Sequence, residues 1–247
     1  MRVMKRRGFT IIETMLFLAI SGVLTVAIMV GAGMSIGSQR YKDAVATLQS
    51  DIQQQYEDAV SIKNGRGASD TIPSGCVGDR GQTDCILMGK LMTITGNGRV
   101  TQYVVYGSEP TPPLSETITN EYTVMRAYVP SVVASSAQET TMEWGTGIAW
   151  PEAGSGARPV GTNRDIAILV IRSPRTGIVY TFTRDDASQA NLVSMINSAQ
   201  RNRRTICVAP TGWVISDRMS VSVAAGASSA NAVEVGTNQM TSPGLSC

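Results

Sequence analysis

The chain has 247 residues, 43% of them apolar, 5% aromatic and 16% charged; that length accommodates one membrane-anchoring helix and a soluble domain of about 180 residues with its own core. It contains no histidine, which excludes a Ser-His-Asp triad and a Cys-His pair, and it carries no GxSxG, P-loop or SxxK pattern. The formal charge of +2 is misleading: Arg2, Lys5, Arg6 and Arg7 are four of the 21 basic residues, and the other 17 face 19 acids, so the rest of the chain offers no global attraction for nucleic acid.

Residues 5–36 read KRRGFTIIETMLFLAISGVLTVAIMVGAGMSI, a basic collar, a glycine, then an apolar run broken by Glu13. Basic residues ahead of such a run keep the N-terminus in the cytoplasm and send the remainder across. Residues 14–36 carry no charge, and as a helix they would extend about 35 Å, enough for a bilayer. A charge in a spanning helix costs roughly 2.5–3.5 kcal/mol on insertion scales, so Glu13 needs a partner or a task. A secretory signal peptide has a shorter apolar core of about 7–15 residues and ends in a small-residue cleavage site. Gly22, Gly31, Gly33 and Gly37 punctuate the run, either for close helix packing or for local melting.

After Gly37 the sequence turns polar but keeps Tyr41, Val45, Leu48, Ile52, Tyr56 and Val60 at steps of three or four, one face of a helix. The pattern predicts a helix over residues 9–63, about 80 Å long, stopped at Asn64-Gly65. Residues 9–36 form its membrane or assembly half, 37–64 its amphipathic half, and 65–247 a β-rich head outside the cytoplasm.

Within the head, ILMGKLMTIT and VTQYVVY flank TGNG as a hairpin, and EYTVMRAYV follows the PTPP loop as a further β-like run. Residues 145–161 are Gly-rich and read as irregular. DIAILVI and GIVYTFT form a second hairpin about Pro174 and Gly177. Asp185 and Asp186 open a surface helix with Leu192, Met195 and Ile196 on its inner face. TICVA, GWVI, MSVSV and AVEVG alternate as tail strands. The fold class is α+β, an antiparallel sheet packed on the long helix.

Charged clusters have ordinary explanations in the sequence. Asp185/Asp186 and Glu57/Asp58 lie at helix ends or on exposed helix faces. Asp79 and Asp84 make a poor calcium shell. Arg201, Arg203 and Arg204 complement a helix C-terminus, with DNA contact as the sharper alternative; Trp144 and Trp150 are candidates for a surface contact or for packing on the sheet. Four cysteines outside the cytoplasm imply two disulfides, and three pairings are possible. The preferred pairing joins Cys76 to Cys85 in a ten-residue loop and Cys207 to Cys247, tying the last residue to a strand. The cysteines lack CxxC spacing, so neither metal nor cofactor is expected.

Lys5, Arg6, Arg7, Gly8, Phe9, Thr10, Ile11, Ile12 and Glu13 together resemble the class III leader and first helix of a type IV prepilin, the family of type IV pilins and type II secretion pseudopilins. The resemblance is sharp over about the first 40 residues. It implies a leader of residues 1–8, cleavage by a prepilin peptidase between Gly8 and Phe9, N-methylation of Phe9, and a pilin-like fold. It also implies an assembly salt bridge from Glu13 to the Phe9 amine of a neighbouring subunit. The Cys207–Cys247 bridge resembles the cysteine-bounded C-terminal region of many pilins. The expected function is a structural subunit, major or minor, of a type IV pilus serving motility, adhesion or DNA uptake. The alternative is a minor pseudopilin of a type II secretion system, which RTICVAPTGWVI faintly resembles. Partners implied are like or unlike pilin subunits, the peptidase and an inner-membrane assembly platform, with DNA or a host surface as further candidates. The precursor would cross the inner membrane once, and the product would be an extracellular filament.

Overall fold

The computed structural model describes residues 10–61, 85–153, 163–210, 218–237 and 245–247. The chain divides into two compact units, Met1–Arg40 and Tyr41–Cys247. One helix, α1 (Ile11–Ser61), contributes to both. It lies within the predicted span of 9–63; Asn64-Gly65, the expected stop, is outside the described residues.

In the second unit, β1 (Cys85–Ile94) and β2 (Arg99–Ser108) form the predicted hairpin, in register from Ile94 opposite Val100 to Cys85 opposite Ser108. A register shift between Leu87 and Gly89 lets β1 continue against β7 (Ile166–Arg172). There the backbones come so close that a Cβ on Gly89 would sit 2.1 Å from the Val170 carbonyl oxygen. β7 pairs with β8 (Val179–Arg184) through a turn in which Gly177 takes φ 72°. On the other side of β2 lie the short strands β3 (Ser131–Val132) and β4 (Gln138–Thr141), completing an antiparallel sheet of six strands.

The residues EYTVMRAYV do not extend as a strand. They form a helix, α2 (Glu121–Ala127), because the Asn120 side chain caps the amides of Tyr122 and Thr123. The Gly-rich stretch also holds more order than its composition suggests, with β5 (Gly147–Ala149) and β6 (Glu152–Ala153) inside it. The surface helix expected from Asp185 is reduced to one turn, α3 (Leu192–Met195), capped by Asn191 and followed by a 3-10 turn, Ser198–Arg201. Asp185 caps nothing: it accepts from Arg164 and Arg204.

A second antiparallel sheet runs β11 (Val233–Thr237), β10 (Met219–Val223), β9 (Arg204–Ala209), β5. The segment GWVI lies outside the described residues. β12 (Leu245–Ser246) pairs with β6.

The main core gathers Tyr41, Val45, Leu48, Ile52 and Tyr56 of α1 with inward residues of both sheets, among them Met92, Ile168, Ile206 and Val221. Five of the six predicted stripe residues are thus buried. Val60, the sixth, is 57% exposed, one residue before the last of the helix. The opposite face of the six-stranded sheet carries a second core of Leu91, Tyr103, Leu169 and Phe182, roofed by Met125 of α2 and by Leu192 and Met195 of α3. Burial on both faces explains why β7 is apolar at nearly every position.

Candidate functional site

The chemistry that stands out in the first unit is a helix with nothing to cover it. Among the described residues, α1 is one helix long and apolar enough to cross a membrane. From Ile11 to Ile36 the described large apolar side chains are all exposed, Ile12 at 79% and Phe17 at 71%. A contiguous apolar surface of this extent is not left to water; it marks contact with lipid or with other apolar helices.

Three hydroxyls in this stretch are satisfied within the helix. Thr14 Oγ1 donates to the Ile11 carbonyl at 2.8 Å, Ser21 Oγ to Leu18 at 3.1 Å and Thr25 Oγ1 to Ser21 at 2.8 Å. Each hydroxyl therefore demands no partner beyond its own helix. Gly22, Gly31 and Gly33 would have open space around an added Cβ. They leave notches in the surface without any contact that fills them.

Glu13 is the one ionisable residue between positions 10 and 39. Thr10 stands at the N-cap position, and the Glu13 amide donates to its Oγ1 at 3.3 Å and to its carbonyl at 3.1 Å. This is half of a capping box, with the carboxylate in the first turn where the helix dipole favours a negative charge. Gly8 and Phe9, the predicted cleavage and methylation positions, lie outside the described residues.

The other sequence candidates are dispersed by the fold. Arg201 stacks on Tyr180 at 4.9 Å and donates to Tyr122 Oη and the Gly226 carbonyl, each at 3.0 Å. Arg203 donates to Ser222 Oγ at 3.1 Å and lies 3.7 Å from Glu234. Arg204 pairs with Asp185 at 3.1 Å and donates to Thr183. The three arginines thus tie three different places together and do not display one basic patch. Arg164 lies over the Trp150 ring at 4.3 Å, and Trp150 is half-buried; Trp144 is 46% exposed with φ 58°.

Cys207 and Cys247 form a disulfide with Cα atoms 5.5 Å apart. Cys85 is also disulfide-bonded, and its predicted partner Cys76 lies outside the described residues. No three histidine, cysteine, aspartate or glutamate side chains gather among the described residues to hold a metal ion.

Two features of the second unit escape a sequence reading. Lys90 on β1 is 7% exposed and meets Asp58 of α1 at 3.7 Å, so Asp58 is not the solvated surface acid its position suggested. A lysine inside an otherwise apolar strand was the available signal. The second is the Tyr41 hydroxyl, which donates to the Val208 carbonyl at 2.8 Å and accepts from the Met219 amide at 2.7 Å. No protein-family model, curated protein or solved structure matches this chain.

Proposed function

We propose that this chain is a structural subunit, major or minor, of a type IV pilus filament, with no catalytic role. One observation carries the reading: residues 11–36 form a helix with an uncovered apolar surface whose single ionisable group, Glu13, lies in its first turn. The Gly8-Phe9 junction and basic collar of the sequence support the same conclusion.

On this reading a prepilin peptidase cuts between Gly8 and Phe9, and the new Phe9 amine is methylated. The precursor sits in the inner membrane with its N-terminus inside and its second unit outside. Removal from lipid by an assembly platform exposes the helix, and packing against the helices of like or unlike subunits covers it again. Glu13 then compensates the cationic Phe9 terminus of its neighbour, so the charge in the apolar helix is matched on polymer growth.

The test is to shear and collect surface filaments and sequence the subunit by mass spectrometry. The expected mature chain begins at Phe9, and Gly8→Ala leaves it longer by the eight leader residues. Glu13→Ala is expected to insert in the membrane normally while filament yield falls at least tenfold. A mature terminus elsewhere, or undiminished yield from Glu13→Ala, overturns the proposal. Recovery of the chain with a secretion complex and never in filaments favours the pseudopilin alternative.

A further inference from the structure

The part of α1 that belongs to the second unit has two faces, and the main core uses one of them. Tyr41, Val45, Leu48, Ile52 and Tyr56 point into that core. At about 100° per residue, Lys42, Asp43, Ala46, Ser50, Gln54 and Glu57 fall together on the opposite side, and all six are exposed. The charges of this face stand toward its ends, a cation at Lys42 and an anion at Glu57. Neither side chain makes an ion pair or hydrogen bond among the described residues. Fifteen positions separate them on one continuous helix, about 22 Å along the axis. An ion pair needs contact within about 4 Å, so they do not pair within one chain. Their complement is another copy of it.

Two arrangements of a second copy satisfy both charges. An antiparallel copy pairs Lys42 with Glu57 twice and closes as a two-fold dimer. A parallel copy displaced by about 22 Å sets Lys42 of one chain level with Glu57 of the next. It leaves one charge open at each end, so the contact repeats without closing. On the filament reading every α1 enters the membrane with the same orientation, which leaves the parallel arrangement. In that register Ala46 faces Ser61, two exposed short side chains that let the helices approach closely. Asp58 comes level with Asp43, but Lys90 already holds it at 3.7 Å. Pairing Lys42 with a neighbour's Asp43 instead would need almost no axial displacement, which builds a ring and not a fibre.

We propose that the exposed face of α1 in the second unit is a contact between successive copies of this chain, with Lys42 of one subunit paired to Glu57 of the next. The inference rests on the filament reading and adds to it a second contact, outside the apolar half of the helix.

The test is charge reversal in the filament assay. Lys42→Glu and Glu57→Lys each bring like charges together and are expected to lower filament yield about tenfold. The reversed double variant restores an opposite pair and is expected to recover most of that yield. Both side chains are exposed, so the level of membrane-inserted precursor and its circular dichroism should match the wild type in all three. Carbodiimide treatment of sheared wild-type filaments is expected to join the Lys42 amine to the Glu57 carboxyl with loss of one water, a peptide pair read by mass spectrometry. That link decides the matter for any variant that fails to fold. Undiminished yield from both single variants, a double variant no better than either, or absence of the Lys42–Glu57 link overturns this contact. Wild-type filaments whose chain starts at Phe9 uphold the functional reading in each of those cases, whereas a wild type that forms no filament overturns both.

Discussion

At Tyr41 a phenol takes the place of a rung in a β-ladder. β9 and β10 pair from Arg204 opposite Val223 to Cys207 opposite Ser220. One step further on, the Val208 carbonyl and the Met219 amide meet the Tyr41 hydroxyl and not each other. Tyr41→Phe keeps the ring in the core but leaves those two backbone groups without that partner. The expected cost is about 1–3 kcal/mol, read as a lower urea midpoint with an unchanged slope. Glu121 offers a pH test of comparable clarity. Burial raises its pKa, but hydrogen bonds from Ser173 at 2.5 Å, Arg175 at 2.9 Å and Thr176 at 3.3 Å outweigh that and hold it below its ordinary 4.5. A carboxylate with a lowered folded-state pKa contributes stability that is present above its unfolded value and is lost as pH falls through the folded one. Below about pH 4.5, the wild type should therefore lose thermal stability more steeply than Glu121→Gln. Parallel curves for the two proteins would remove Glu121 from the acid response.

Among the elements, α1 was the most legible, since an apolar run and then a three-four stripe leave little else for the chain to form. Its stripe also separates strong from weak positions. Ile52→Ala, at 0% exposure within the main core, should cost about 2–5 kcal/mol; Val60→Ala, at 57% exposure, should stay within about 0.5 kcal/mol. Similar losses in a thermal scan would show that the stripe continues to the helix end. The hairpins were equally readable, from TGNG and from RSPRTG. α2 was not, because β-branched and aromatic residues read locally as strand, whereas Asn120 and the Glu121 contacts to Ser173 and Arg175 are made only in the folded chain. The helix expected after Asp185 fails for a related reason: Arg164 and Arg204 claim the aspartate, and Asn191 turns left-handed at φ 56° before one turn of helix forms. Glu13 was visible as a lone charge in an apolar run.

Over the whole molecule, the 40-residue separation closed by Cys207–Cys247 gives a further measurable quantity. Loop-closure entropy sets its worth at up to about 3.9 kcal/mol, so the Cys207→Ser, Cys247→Ser double variant should melt several degrees lower than the parent. An unchanged melting temperature would mean that packing alone holds the tail. The placement of α1 within the main core decides where a secretable fragment can begin. Tyr41, Val45, Leu48, Ile52 and Tyr56 pack in the main core against inward residues of both sheets. Cutting the gene so that translation starts just ahead of Tyr41 should yield protein that stays in solution; starting after Ser61 deletes the shared wedge and should deliver inclusion bodies.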